Sequence, residues 1–223
     1  MSKTSIYTEL FNTKTIGVID FINYITSDMK PHEININRIL GNPELFDNIT
    51  LHIENLIKTT LGETYETFDT ICATSMSAIP YAVNVATSFE KKISFIQDTG
   101  NSRDEKDNIK NIKIEPKMEI DERVLLIETL AENNFYLDNV IQKIRKYGGN
   151  VVGIIILINQ CQGEYSNLTA NKEDVFPVFN LFDIFTYLEN NNLIEMFYSE
   201  KIKFYCEKET KNNIKKLIPP IDA

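Results

Sequence analysis

The segment RVLLIETLAENNFYLDNVIQKIRKYGGNVVGIIILIN, Arg123 to Asn159, sets a strand, a loop, a helix and a second strand in succession. In many α/β enzymes that layout places a helix N-terminus where backbone N–H groups and the helix dipole receive a phosphate. The loop TLAENNFY nevertheless carries no glycine, lysine or arginine. After Glu128 at the end of the strand it offers Thr129, Glu132, Asn133 and Asn134. Glu132 would face a phosphate with like charge, at a cost of about 1 kcal/mol at 4 Å in water and about 4 at an effective dielectric of 20. The same residues suit the helix itself, because acidic and Asn side chains cap its first N–H groups and complement its dipole.

Other chemistry-bearing residues are thinly spread. Lys106 and Asp107, with Arg103 nearby, lie in the polar stretch TGNSRDEKDN, Thr99 to Asn108, where a charged pair usually means a solvated surface. His32 and His52, the only histidines, fall on separate elements and offer neither a metal pair nor a His-dependent triad. Ser75 and Ser77 in ATSMSAIP lack the GxSxG pattern of a nucleophile elbow. Cys72, Cys161 and Cys206 form no CxxC pair, so they are expected to be thiols and not a disulfide framework or zinc site.

The elements that would position these groups belong to one α/β domain. A chain of 223 residues, 43% hydrophobic and 25% charged, has the composition of a globular protein. Its net charge of −9 speaks against a nucleic-acid surface, and the basic run KETKNNIKK, Lys208 to Lys216, reads as a solvated helix face. No apolar leader or eighteen-residue apolar run is present, so a cytoplasmic location is expected, with no membrane partner. The abundance of Asn, Ile and Lys points to an AT-rich genome, such as that of a large DNA virus, an amoeba or an apicomplexan.

Apolar spacing predicts a short helix within YTELFNTKTIGVIDFINYI and a longer one in NPELFDNITLHIENLIKTTL, with His32 to Ile39 between them as an edge strand. A helix is predicted over Ala78 to Phe89, with Pro80 in its first turn. Strands are predicted at Thr70 to Ala73, Ile93 to Ile96, Val124 to Glu128, Val151 to Ile158 and Pro177 to Phe179, with a short one in IKIEP. Continuous apolar strands separated by helices imply a mostly parallel sheet covered on both faces. Residues after Asn192 read as a mixed C-terminal appendage.

In order and spacing, Leu10 to Asn190 resembles the orotate phosphoribosyltransferases of the type I phosphoribosyltransferase fold. The resemblance is carried by NPELFDNITLHIENLI, FDTICATSMSAIPYAVNVA, ISFIQD, KDNIKNIKIEP and VLLIETLAENNFYLDNVIQKIRKYGGNVVGIIILINQCQGEYSNL. It implies one domain over 1–223, with N-terminal helices and a small hood to residue 66, an α/β core over 67–190 and an appendage over 191–223. It also implies a homodimer and binding of phosphoribosyl pyrophosphate and orotate.

Set against the family pattern, Glu128 keeps one half of the paired carboxylates and Thr129 replaces the other. Glu132, Asn133, Asn134, Phe135 and Tyr136 replace the glycine-bearing phosphate turn. Gln97 and Asp98 stand where pyrophosphate meets cations, Asn159 and Gln160 where an arginine meets orotate, and Ile25 in place of a lysine. Lys106 and Asp107 match the mobile-loop pair. The expectation drawn from these losses is a catalytically inactive homologue, not an enzyme, that acts as a scaffolding or regulatory protein through an unknown protein partner. It would hold no cofactor or metal, with Lys106, Asp107 and Glu128 vestigial and Gln97, Glu128, Thr129, Glu132, Asn133, Asn134 and Gln160 as remnants of substrate binding. The alternative is an active transferase with a rearranged, Mg²⁺-dependent site, or a regulatory nucleotide-binding protein.

Overall fold

The structure is a computed structural model that describes residues 1–19, 31–62, 67–98, 112–131, 134–160 and 174–217. Two compact units divide the chain: Met1–Ile49, Asn159–Glu164 and Phe179–Ala223 form one, and Thr50–Ile158 and Tyr165–Val178 the other.

In the first unit, helix α1 (Lys3–Asn12) starts at Ser2, whose hydroxyl accepts from the Ser5 N–H, and buries Ile6, Tyr7 and Leu10. The short helix predicted here ends early. Thr13 returns its hydroxyl to the carbonyl of Glu9, and Lys14 takes a positive φ of 54°, which stops helical propagation. The β-branched residues that follow form β1 (Ile16–Val18), antiparallel to β2 (His32–Ile34) with Ile16 opposite Ile34. The predicted strand over His32 to Ile39 is likewise cut short. Ile36 and Ile39 are both buried in a 3₁₀ turn (Ile36–Gly41), whose three-residue period brings them to one side where strand alternation would separate them.

Helix α2 (Pro43–Leu61) begins with Asn42, whose side chain accepts from the Leu45 N–H, and Pro43 occupies a position where no N–H is needed. Leu45, Ile49, Ile53 and Ile57 recur at four-residue steps as its buried stripe. The appendage predicted at the C-terminus is mainly one helix, α6 (Met196–Leu217), after α5 (Leu181–Asn190); Ser199, Ile202 and Cys206 lie on its buried side.

The second unit is organised on a six-stranded sheet. Its strands are β3 (Thr70–Ala73), β4 (Lys92–Asp98), β5 (Ile112–Glu115), β6 (Arg123–Ala131), β7 (Asn150–Asn159) and β8 (Val175–Asn180), in the spatial order β5-β4-β3-β6-β7-β8. Every strand expected for the core is present. β3 pairs parallel with both β4 and β6, and β5 closes the edge antiparallel to β4. Helices α3 (Ile79–Ser88) and α4 (Asn134–Lys146) follow β3 and β6.

On α4, Leu137, Val140, Ile141 and Ile144 pack into a core with Leu126, Ile154 and Ile156 of the adjoining strands. Each such side chain stabilises the fold by about 1.5–3 kcal/mol on burial. Lys143, Arg145 and Lys146 complement the dipole at the C-terminal end of α4, and Gly148 then adopts a φ of 89° that an L side chain would strain. Among the described residues, no helix is long and apolar enough to cross a membrane.

Candidate functional site

The register of the central strands fixes the site. Because Ala73 pairs with Ile127 across β3 and β6, the next residues, Thr74 and Glu128, leave the two strands side by side. The Thr74 N–H continues the ladder by donating to the Ile127 carbonyl at 3.1 Å. The turn Met76–Ala78 then leads directly into α3, with Pro80 in the first turn. Hydroxyl-bearing residues after β3 therefore gather around the carboxylate on β6, at the carboxyl end of parallel strands where open α/β sheets bind ligands.

Glu128 is buried and accepts four hydrogen bonds. Its Oε2 receives the Thr74 hydroxyl at 2.7 Å; its Oε1 receives the Ser75 hydroxyl at 2.7 Å, the Thr129 N–H at 2.6 Å and the Thr129 hydroxyl at 3.2 Å. A second layer closes on this one. Ser77 Oγ lies 2.7 Å from Thr129 Oγ1 and 3.2 Å from Ser75 Oγ. From the first turn of α4, Tyr136 donates its hydroxyl to the Thr74 carbonyl at 2.7 Å, tying the helix to the same turn. Ser75 and Ser77 are half-buried, whereas Met76 between them is 86% exposed, so the turn is open on one side. The carboxylate is thus held by directed O–H and N–H dipoles from the strand end and the turn after β3.

A different polar cluster marks the opposite end of the strands. Glu122 accepts from the Thr70 hydroxyl and, at 2.6 Å, from the Glu119 N–H, with Lys92 at 3.5 Å. Burial raises the carboxyl, and these donors outweigh it to leave it below the usual range. This arrangement ties the start of β6 to β3 and β4. Cys72, in β3, is sealed in the core, where burial pushes its thiol up to about 12; it is no nucleophile at neutral pH.

Of the residues singled out from the sequence, the structure brings Glu128 and Thr129 together. Gln97 lies exposed on β4, opposite Lys113 of β5. Gln160 belongs to the first unit and is buried there, its Oε1 3.4 Å from His32 Nε2 and its carbonyl 3.4 Å from the Cys206 thiol that donates to it. Lys106, Asp107, Glu132 and Asn133 lie outside the described residues; Asn134 starts α4. Thr74 was not singled out in the sequence, and Ser75, Ser77 and Tyr136 were not expected as partners of Glu128. The signal for them was a run of hydroxyls directly after an apolar strand, TICATSMS, which a search for nucleophile motifs passes over.

No protein-family model matches the chain. The orotate phosphoribosyltransferase of Sulfurisphaera tokodaii is 23% identical over 199 residues, covering 89% of this chain and 95% of that protein. Among solved structures, orotate phosphoribosyltransferase from Aeropyrum pernix matches with a TM-score of 0.65 at 15% identity, covering 85% of this chain and 99% of that one. Leishmania donovani UMP synthase matches with a TM-score of 0.73 at 16% identity over 93% of this chain, which spans 43% of that protein. The fold is therefore the type I phosphoribosyltransferase fold, and the resemblance to orotate phosphoribosyltransferases stands. These relatives also correct one expectation. The missing cations imply a protein that is not an enzyme, yet the curated proteins it is similar to are named as orotate phosphoribosyltransferases, which points to an enzyme family.

Proposed function

We propose that the protein is a phosphoribosyltransferase whose site is rearranged around Glu128, taking a phosphoribosyl group at the carboxyl ends of β3 and β6. The observation that carries this reading is the buried carboxylate of Glu128, held by Thr74, Ser75 and Thr129 beside the start of α4. A carboxylate fixed in this way needs no reorganisation when positive character develops on a ribose carbon, and preorganised charge is the main source of rate enhancement in such sites. The pair Lys106 and Asp107, outside the described residues, belongs to the same reading, with Lys106 as the cation available to the departing pyrophosphate.

The family implies Mg²⁺, and the residues described here do not fit one held by the protein. Both oxygens of Glu128 are engaged by protein donors, and no three metal-type side chains converge among the described residues. Mg²⁺ would enter only as the counter-ion of the substrate.

The test is titration with phosphoribosyl pyrophosphate and Mg²⁺ by calorimetry, followed by an assay for orotidine monophosphate formation. Binding is expected, with turnover that falls by about a hundredfold or more in Glu128→Gln. Absence of both binding and turnover would overturn the reading.

A further inference from the structure

Glu128 receives a backbone N–H that the sheet would ordinarily keep. In a parallel pair, a residue that donates to one carbonyl of the neighbouring strand accepts from the N–H two residues further along it. Thr74 donates its N–H to the Ile127 carbonyl, so the Thr129 N–H is the next donor due to the Thr74 carbonyl. It goes elsewhere. The Thr129 N–H turns to Glu128 Oε1 at 2.6 Å, and the Thr74 carbonyl takes the Tyr136 hydroxyl at 2.7 Å in its place. One ladder bond is thus exchanged for two side-chain bonds, and neither backbone group is left unpaired. The exchange depends on the hydroxyl. Thr74 is buried, and its carbonyl without a donor would draw the Thr129 N–H back into the ladder, because a buried acceptor left unpaired bears its full desolvation cost. Tyr136 can supply that donor because it stands in the first turn of α4 with its side chain packed against the core between α4 and the sheet.

We infer that Tyr136 is a positioning residue of the site: by giving the Thr74 carbonyl a donor, it releases the Thr129 N–H to the Glu128 carboxylate. It acts on Glu128 only through Thr74 and Thr129. Its effect on the carboxylate follows from this geometry alone, whereas its effect on turnover rests on the proposed transferase. A charge-assisted bond is roughly twice as strong as a neutral one, so the same N–H holds the carboxylate more firmly than it would hold the ladder. Charge develops on the ribose carbon only in the transition state, so loss of that hold should appear in kcat and not in KM.

Tyr136→Phe keeps the ring and removes the hydroxyl. Amide-resolved NMR of the full chain should show the Thr129 N–H moving upfield, from the position of a donor to a carboxylate towards that of a donor to a neutral carbonyl, and approaching its position in Glu128→Gln. In orotidine monophosphate formation, kcat should fall about tenfold with KM held within about twofold, the pattern of a contact that counts only in the transition state. Ile141→Val trims one buried methylene from the same helix and reports what a weaker α4 does by itself. It should move neither readout. A Thr129 resonance unmoved in Tyr136→Phe, or the same changes in Ile141→Val, overturns the inference. Turnover indifferent to Tyr136→Phe would leave the transferase standing and overturn the positioning role. A displaced Thr129 resonance with no turnover in any form would remove the transferase and leave Tyr136 as the residue that frees this N–H for Glu128.

Discussion

Replacing Thr74 by valine removes one hydroxyl from a place water cannot reach. Thr74 is 0% exposed, and its Oγ1 lies 2.7 Å from Glu128 Oε2 and 3.1 Å from the Ile127 carbonyl. The carbonyl keeps the Thr74 N–H at 3.1 Å, so the loss falls on the carboxylate. A hydrogen bond to a charged group contributes about 1.5–3 kcal/mol, and a buried acceptor left without its donor bears the whole desolvation cost. A destabilisation of about 2 kcal/mol follows, or about 4–8 °C in Tm for a protein of this size. Ser75→Ala removes a bond of equal length from a half-exposed hydroxyl, where water can substitute, and should cost about half as much. Thermal unfolding of Thr74→Val, Glu128→Met and the double variant isolates the pair. The coupling should be about 1.5 kcal/mol or more, because valine costs little once the carboxylate is gone. Additivity within about 0.5 kcal/mol would refute the view that hydroxyl donors hold the Glu128 charge.

Two further outcomes rest on geometry outside the site. The side chain of Arg123 bonds Asp69 at 2.7 and 3.0 Å, its N–H adds a third bond at 2.9 Å, and together they hold the Asp69 carboxyl down at about 2 from an ordinary 3.8. A depressed carboxyl stabilises the fold above its unfolded pKa and loses that contribution as pH falls from about 4 to about 2, so Asp69→Asn should flatten this part of the acid limb in urea melts. With both partners over a third exposed, the change at pH 7 should stay below about 1 kcal/mol. In Gly149→Ala the new Cβ would lie 2.8 Å from Ile144 Cγ2, which is buried and cannot yield, so a loss of about 1–3 kcal/mol is expected in chemical denaturation. Gly41→Ala, with nothing within 4 Å, should remain within about 0.5 kcal/mol.

The strands of the core were legible in the sequence because each is an apolar run bounded by polar residues, and β4 and β7 are bounded in the fold almost where composition bounds them. The N-terminal segments were not, since Ile36 and Ile39 suit both a strand and a 3₁₀ turn until neighbours decide. Glu128 was legible as a carboxylate at a strand end. Its partners were not, because Thr74 and Ser75 meet it only through the parallel register of β3 and β6, a pairing across 54 residues that no local pattern encodes. Nor was the buried state of Gln160 visible, as its neighbours His32 and Cys206 come from distant parts of the chain.

That same separation has a consequence during synthesis. β3 emerges from the ribosome well ahead of β6, and at about 5–20 residues per second Thr74 waits roughly 3–10 s for Glu128. In that interval β4 can pair with one side of β3, while the other side of this fully buried strand stays open to any passing chain. Closing the connection costs about 3.5 kcal/mol of chain entropy on top of a constant, an expense met only when β6 brings its apolar residues into the sheet. Slow codons between residues 75 and 122 would therefore prolong an aggregation-prone nascent state, whereas the same codons placed after β6 would leave β3 already protected.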